Sequence, residues 1–299
     1  MDFRLTEDQR ALRRGVRDLL EGRFDRAALR AAVDTPSLDR ELWRELGAAG
    51  FFALRLPEEE GGVGLGLPEA VLVFEEAGRV LLPGPLVATH LAAGSVPGAA
   101  EGAVVVTEVA EGLVPWLEEA DVVRGDAEGA VPMRSVDPLT PLHRVPGRSG
   151  PAPDAGSDLP PDPAEDLTAV LLTAAEQVGS AEATTGAAVS YARDREQFGQ
   201  AIGGFQAVKH LCAGMLVRTE LARAAVRAAS LTVDPVEIAG AKLLADTAAI
   251  GNARDCLQVH GGMGFTWEAD VHLHLKRAWV RAELRLPAAR AEEAVAAGL

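Results

Sequence analysis

Three features of the sequence predict a mostly α-helical protein with a small β segment in its middle. Hydrophobic residues make up 48% of the 299 positions and aromatics only 4%, with alanine dominating the apolar set. That composition suits closely packed helices better than sheets. Apolar residues at helical spacing run through both ends of the chain, while short β-prone runs broken by Gly, Pro and Asp lie between them. The expected organisation is an N-terminal helical domain over residues 1–100, a reduced β middle segment ending in a Pro/Gly-rich linker over 101–163, and an antiparallel helix bundle over 164–299.

Each element follows from local chemistry. Thr6 and Gln9 form a capping box, and Leu12, Val16, Leu19 and Leu20 continue at helical spacing. A second helix is predicted with Leu38, Leu42 and Leu46 on one face and Trp43 beside it. "LPEEEGGVGLGLP" breaks the pattern, and Pro68 suits the first turn of the helix carrying Val71, Leu72 and "FEEAGR". Another helix follows "LPGP", from Leu86 to about Ala93. In the middle, "GAVVVTE", "ADVVRG", "GAVPM" and "LHRV" read as strands of a small sheet. "VPGRSGPAPDAGSDLPPDP" reads as an exposed linker. Beyond Leu167 the helices are long: one to about Arg193, one from near Phe205, and one started by Asp234, Pro235 and Glu237.

Composition narrows the function. A net charge of −15 opposes binding to nucleic-acid phosphates. No apolar run reaches the roughly 18 residues of a membrane span. The N-terminal "MDFRLTEDQR" has no signal-peptide core, so a cytoplasmic protein is expected. Cys212 and Cys256 sit among apolar neighbours and read as core thiols in a reducing compartment. His272 and His274, two apart on a helix, face different sides and do not form a metal pair.

Two motifs remain. "QVHGGMGFTWE" is glycine-rich but follows a helix, and its spacing is not that of a dinucleotide-binding fingerprint. Earlier, "DREQFGQAIGGFQAVKH" separates two long helices. Together with "LTEDQRALRRGVRDLL", "LWRELGAAGFFALRLPEEEGGVGLGL" and "FEEAGRVLLPGPLVATHLAA" in the same order, these segments resemble the acyl-CoA dehydrogenase family across essentially the whole chain. The resemblance implies an α domain, a β-barrel and a helical bundle that together hold FAD. In the family, an R-x-x-F-G arginine and a Q-x-x-G-G glutamine reach a neighbouring subunit's FAD. Here it assigns those contacts to Arg195, Phe198, Gln206, Gln258, Gly261 and Gly262. An arginine fork suits a pyrophosphate, and glycines let backbone N–H groups approach an anion.

The sequence also departs from the family. Its reaction needs a carboxylate to remove the α-proton, and that base lies at one of two places. Carried forward from Gln258, the first falls on Arg285; carried back from Arg195, the second falls on Ala169. Arginine cannot serve as a base. Glu283 and Glu165 lie nearby and read as solvated surface residues. Of the barrel segments that embrace the flavin ring, Thr107 and Glu108 persist without a recognisable remainder. The expected protein is therefore the shorter, non-catalytic subunit of an α2β2 FAD-dependent acyl-CoA dehydrogenase. A full-length homologue would supply the base and most of the acyl-CoA site, with an electron-transfer flavoprotein as a candidate electron acceptor. "FTWEADVHLHLKRAW" resembles the actinobacterial enzymes acting on sterol side-chain thioesters. Two rivals stand beside this: a self-sufficient homo-oligomer using Glu283 or Glu165, and a flavin-free scaffold of the same fold.

Overall fold

The computed structural model describes residues 4–147 and 163–298, the side chains of 163–165 excepted. Five helices build the N-terminal region. α1 (Glu7–Arg23) starts on the expected capping box, with Thr6 Oγ1 accepting from the Gln9 amide at 3.1 Å and Gln9 Oε1 accepting from the Thr6 amide at 3.0 Å. α2 (Arg26–Asp34), which the sequence reading passed over, is a short helix capped by Asp25. α3 (Arg40–Ala48) is capped by Asp39, so Leu38 lies before this helix rather than on its face; it is nonetheless buried. α4 (Leu67–Arg79) begins with Pro68 in its first turn, and α5 (Leu86–Ala92) follows.

The middle segment holds β1 (Val106–Glu108), β2 (Leu113–Pro115), β3 (Val122–Arg124), β4 (Val131–Met133) and β5 (Leu142–Arg144). β1 pairs in parallel with β3, and β2-β5-β4 forms a separate antiparallel sheet. The short β2 was missed because "LVP" carries no alternation. The expected linker, residues 146–163, lies almost wholly outside the described residues.

The C-terminal bundle comprises α6 (Pro163–Asp194), α7 (Gln206–Thr232), α8 (Pro235–His260), α9 (Val271–Leu284) and α10 (Ala288–Ala297). Val233, in the left-handed region at φ 52°, ends α7. Asp234 caps α8 by accepting from the Val236 and Glu237 amides, so the two helices run antiparallel across a tight turn.

One core joins the two ends of the chain. Leu20, Trp43, Phe52 and Phe74 share a buried cluster with Leu171, Val178, Val226 and Ala245. Its closest seam is between α4 and α6. A Cβ on Gly179 would overlap the Glu75 carbonyl oxygen and lie 2.8 Å from the Arg79 amide nitrogen, and one on Gly78 would overlap the Glu176 carbonyl. Side-chain-free positions are what allow these backbones to touch. Charges tie α4 to α1 and α7. Buried Glu76 accepts from Arg13 at 2.6 Å, Arg17 at 2.7 Å and Arg79 at 2.8 Å, and buried Glu75 pairs with Arg227 at 3.0 Å. Burial opposes ionisation of Glu76, but hydrogen bonds from Arg17, Arg13 and Arg79 outweigh it and hold the carboxyl down at about 2.

Candidate functional site

The structure gathers both sequence motifs at one end of the bundle. Past α6, the Arg195 amide donates to the Tyr191 carbonyl at 2.9 Å, and the Ile202 amide donates to the Arg195 carbonyl at 2.8 Å. Between them β6 (Glu196–Gln197) and β7 (Gln200–Ala201) form a hairpin. Its two turn residues, Phe198 and Gly199, both have positive φ, at 53° and 78°, the pattern of a type I′ turn. A phenylalanine rarely tolerates that conformation, and here the residue is 92% exposed. Residues held in uncommon backbone regions are candidates for function. The Arg195 side chain is exposed and forms no ion pair among the described residues. Gln206 is the first residue of α7, whose N-terminus has no side-chain cap. Its first-turn N–H groups are therefore free to meet an anion.

At the same end, α8 terminates through exposed Gln258 into Gly261, at φ 59° and ψ −140°. A Cβ on Gly261 or Gly262 would meet nothing within 4 Å, so conformation, not space, calls for glycine at Gly261. The two motifs are tied by a stack of Tyr191 on His260, with centroids 4.1 Å apart. A small core containing Ala188, Ala192, Leu257 and Val259, with Ile202 packed on it, lies behind them. Met263, Phe265 and Trp267 are exposed beside the glycine turn. An arginine without a carboxylate partner, an uncapped helix start and an approachable glycine turn suit one end of a large anionic ligand. They fit the phosphate portion of FAD.

The other half of a flavin site fits poorly. Buried Thr107 donates its hydroxyl to the Pro115 carbonyl at 2.5 Å, and Glu108 is ion-paired with Arg285, so both persisting barrel residues are engaged within the chain. The two positions assigned to the base, Ala169 and Arg285, line the same cavity of about 190 Å³. Neither is acidic. Glu283 instead lines a separate cleft between the β2-β5-β4 sheet and α9, with Trp279 and Arg134. The Glu165 side chain lies outside the described residues.

Sequence reasoning missed two carboxylates here: Asp166, one turn before Ala169 on α6, lines the same cavity as Ala169 and Arg285, and Glu176 lies beyond it. Glu176, buried on α6, lines a further cavity of about 70 Å³ together with Arg281 and Arg285. It accepts from Arg281 at 2.7 Å, and burial pushes its carboxyl above the usual range against the pull of that arginine. Its spacing from Ala169, seven residues or two helical turns, was the available signal. Arg277 and Arg281 on α9, and Arg285 just past its end in extended backbone, meet Asp137, Glu176 and Glu108, each from a different element.

The remaining candidates are structural. His274 Nδ1 lies 2.8 Å from Ser180 Oγ, and burial, with Arg281 and Arg277 nearby, drives its pKa down to about 3. His272 stacks on Trp267 at 5.1 Å. Among the described residues no cluster of three or more metal-ligating side chains occurs. Both cysteines are free, with Cys256 buried.

Comparison with known proteins gives a consistent picture. Residues 6–111 match the acyl-CoA dehydrogenase N-terminal domain, and residues 170–284 match the C-terminal domain of that family. The chain is 38% identical to acyl-CoA dehydrogenase IpdE2 of Mycobacterium tuberculosis, over 93% of each protein. Among solved structures it is similar in fold to a chain of the ChsE4–ChsE5 complex from Mycobacterium tuberculosis, with a TM-score of 0.84, 22% identity and coverage of 99% and 98% of the two chains. It is likewise similar to a chain of the Tcur3481–Tcur3483 steroid ACAD, with a TM-score of 0.82, 24% identity and 97% of each chain covered.

Proposed function

Because the chain belongs to the acyl-CoA dehydrogenase family, we propose that it is the non-catalytic subunit of a heteromeric FAD-dependent acyl-CoA dehydrogenase. In this reading Arg195, Phe198, Gln206, Gln258, Gly261 and Gly262 contact the cofactor held by a full-length partner. FAD, when bound, accepts the hydride from the substrate β-carbon as a carboxylate takes the α-proton. The observation that carries the reading is the state of the two base positions. One is Ala169, the other is Arg285, and Arg285 is bound to Glu108. The nearest carboxylate on the other side, Glu176, is bound to Arg281. Asp166, one turn before Ala169, lines the same cavity but is exposed, so no carboxylate stands at either base position itself, where general-base help would be worth roughly 10² to 10⁴ in rate.

The self-sufficient rival is disfavoured by the placement of Glu283 in a different cleft. Against the flavin-free scaffold stands the exposed Arg195, which a scaffold has no reason to keep free of a carboxylate. We assign an acyl-CoA thioester as the complex's substrate, bound mainly by the partner, with a sterol side chain as the acyl group. That choice follows the "FTWEADVHLHLKRAW" segment and the fold shared with a steroid ACAD. An electron-transfer flavoprotein is the proposed acceptor. No described helix is long and apolar enough to cross a membrane.

The test is flavin absorbance after gel filtration. The chain alone should purify colourless. Co-expressed with its full-length partner, it should purify yellow. In the complex, Arg195→Ala should weaken flavin retention about ten- to a hundredfold, the loss of a charge-assisted contact of roughly 1.5–3 kcal/mol. Gln258→Ala should act in the same direction, more mildly. Stoichiometric FAD on the isolated chain, or full retention in the Arg195 variant, would show the assignment to be wrong.

A further inference from the structure

Among the described residues, Asp25, Asp39, Asp234 and Asp270 all stand at helix N-caps, and the last behaves unlike the others. Asp25, Asp39 and Asp234 accept from first-turn amides of α2, α3 and α8, the ordinary way to satisfy a helix start. Asp270, in the same place before α9, makes no such bond. Its carboxylate turns instead to α2. Arg26 Nε donates to Asp270 Oδ2 at 2.5 Å, and Arg30 Nη1 lies 3.4 Å from Asp270 Oδ1. The same two arginines, one turn apart, also hold the backbone before it. Arg26 donates to the Glu268 carbonyl at 2.8 Å and Arg30 to the Trp267 carbonyl at 2.7 Å. We propose that Arg30, with Arg26 beside it, is a positioning residue for the glycine turn at Gly261 and Gly262. It ties the chain just beyond that turn to the N-terminal helices and so sets the face offered to the cofactor.

Burial does little to hold this segment. Gly264 is buried, and a Cβ on it would come within 3.0 Å of the Leu257 carbonyl oxygen. Beyond it, Phe265 is 74% exposed and Trp267 50%. With so little apolar area covered, polar contacts decide the conformation. Of the two arginines, Arg30 contributes more. The Arg26 side chain is 67% exposed, where an ion pair is worth little, and that of Arg30 only 20%. The Arg30 guanidinium also lies 5.6 Å from the centroid of the Trp267 ring, on which His272 stacks and which Lys276 approaches at 4.8 Å. One guanidinium thus engages a carbonyl, a carboxylate and an indole within residues 267–270. A planar fork can do this where a point charge could not.

The link to the cofactor rests on the proposed function, whereas the tether itself does not, so the two are tested apart. Hydrogen exchange on the full-length chain reads the amides of Thr266 and Ala269, which donate to the Met263 and Thr266 carbonyls. Arg30→Ala should speed their exchange roughly tenfold, the loss of one charge-assisted hydrogen bond, and leave α7 unchanged. Asp270→Asn weakens the tether from the other side without removing a capping bond. It should act in the same direction, and it serves if Arg30→Ala does not fold. Arg23→Ala, a change of equal charge that leaves this loop untouched, should have no effect. In the complex with the full-length partner, both Arg30→Ala and Asp270→Asn should release FAD about three- to tenfold faster. The sign at Asp270 separates positioning from plain attraction, since deleting a negative charge near an anion would otherwise slow its release. Unchanged exchange at Thr266 and Ala269 in both variants overturns the tether. Slower FAD release in Asp270→Asn overturns positioning in favour of direct attraction. Full flavin retention in Arg195→Ala would instead count against the cofactor reading and leave the exchange result standing.

Discussion

Gly179→Ala should destabilise the protein far more than a helix-interior glycine normally would. On an exposed helix the change stabilises by about 0.5–1 kcal/mol, since alanine loses less entropy on folding. Gly186, on the same helix, is such a site, because a Cβ there meets nothing within 4 Å. At Gly179 the new methyl would overlap the Glu75 carbonyl oxygen and crowd the Arg79 amide nitrogen at 2.8 Å. These are backbone atoms of α4 and cannot rotate away. Carbon atoms settle at about 3.5–4.0 Å, so α4 and α6 would have to separate by roughly an ångström or more. Overpacking of this kind costs about 1–3 kcal/mol and occasionally more. The upper end is expected, since the clash is backbone against methyl inside the one buried core that Phe74 and Val178 share. At about 2–4 °C per kcal/mol, the melting temperature should fall by roughly 6–12 °C. Gly186→Ala should hold it level or raise it slightly. Thermal melts followed by circular dichroism decide the matter: equal melting temperatures for the two variants would refute the reasoning.

Glu283→Gln in the assembled complex should leave turnover within a few-fold of wild type, whereas a loss of about 10² or more with FAD still bound would favour the self-sufficient enzyme. The Glu76 carboxyl, held at about 2 in the folded protein, contributes stability that is present above its ordinary value near 4.5 and is lost as pH falls from there towards 2. Urea midpoints between pH 6 and pH 3 should thus fall more steeply for wild type than for Glu76→Gln; parallel slopes would remove Glu76 from the account. Burial pushes the Cys256 thiol up to about 12, so a thiol reagent should modify half-buried Cys212 first and Cys256 only on unfolding. Equal rates on the native protein would contradict this burial.

What could be read in the sequence was mostly local. The Thr6–Gln9 capping box, Pro68 in a first turn, and Asp234 with Pro235 each act within one helical turn, and the structure has them where expected. α2 was equally local: Asp25 caps it, but its run of alanines and arginines lacks the large apolar stripe that marked its neighbours. The faces of α6 were not legible, because that helix is buried nearly all round from Thr168 to Ala181 and its apolar residues show little periodicity. Glu176 was hidden for that reason. The Arg285–Glu108 pair was hidden for another: its members are far apart in sequence, and only the packing of α9 on the middle segment brings them together. At the motif end, sequence supplied the residues and the Tyr191–His260 stack supplied their proximity.

The seam between α4 and α6 bears on how the chain could be divided. Leu20 and Phe74 on one side and Leu171 and Ala245 on the other belong to one buried cluster, so residues up to about 147 and those from 163 onward are complementary halves of a single folding unit. A chain broken between them should yield two fragments that fail to fold separately but reassemble when mixed, as pieces sharing a core do. The middle segment is then an insertion between halves that already recognise each other. Its small sheets could lose strands without uncoupling those halves, which gives a physical reason why a barrel could shrink here while the helical frame stayed intact.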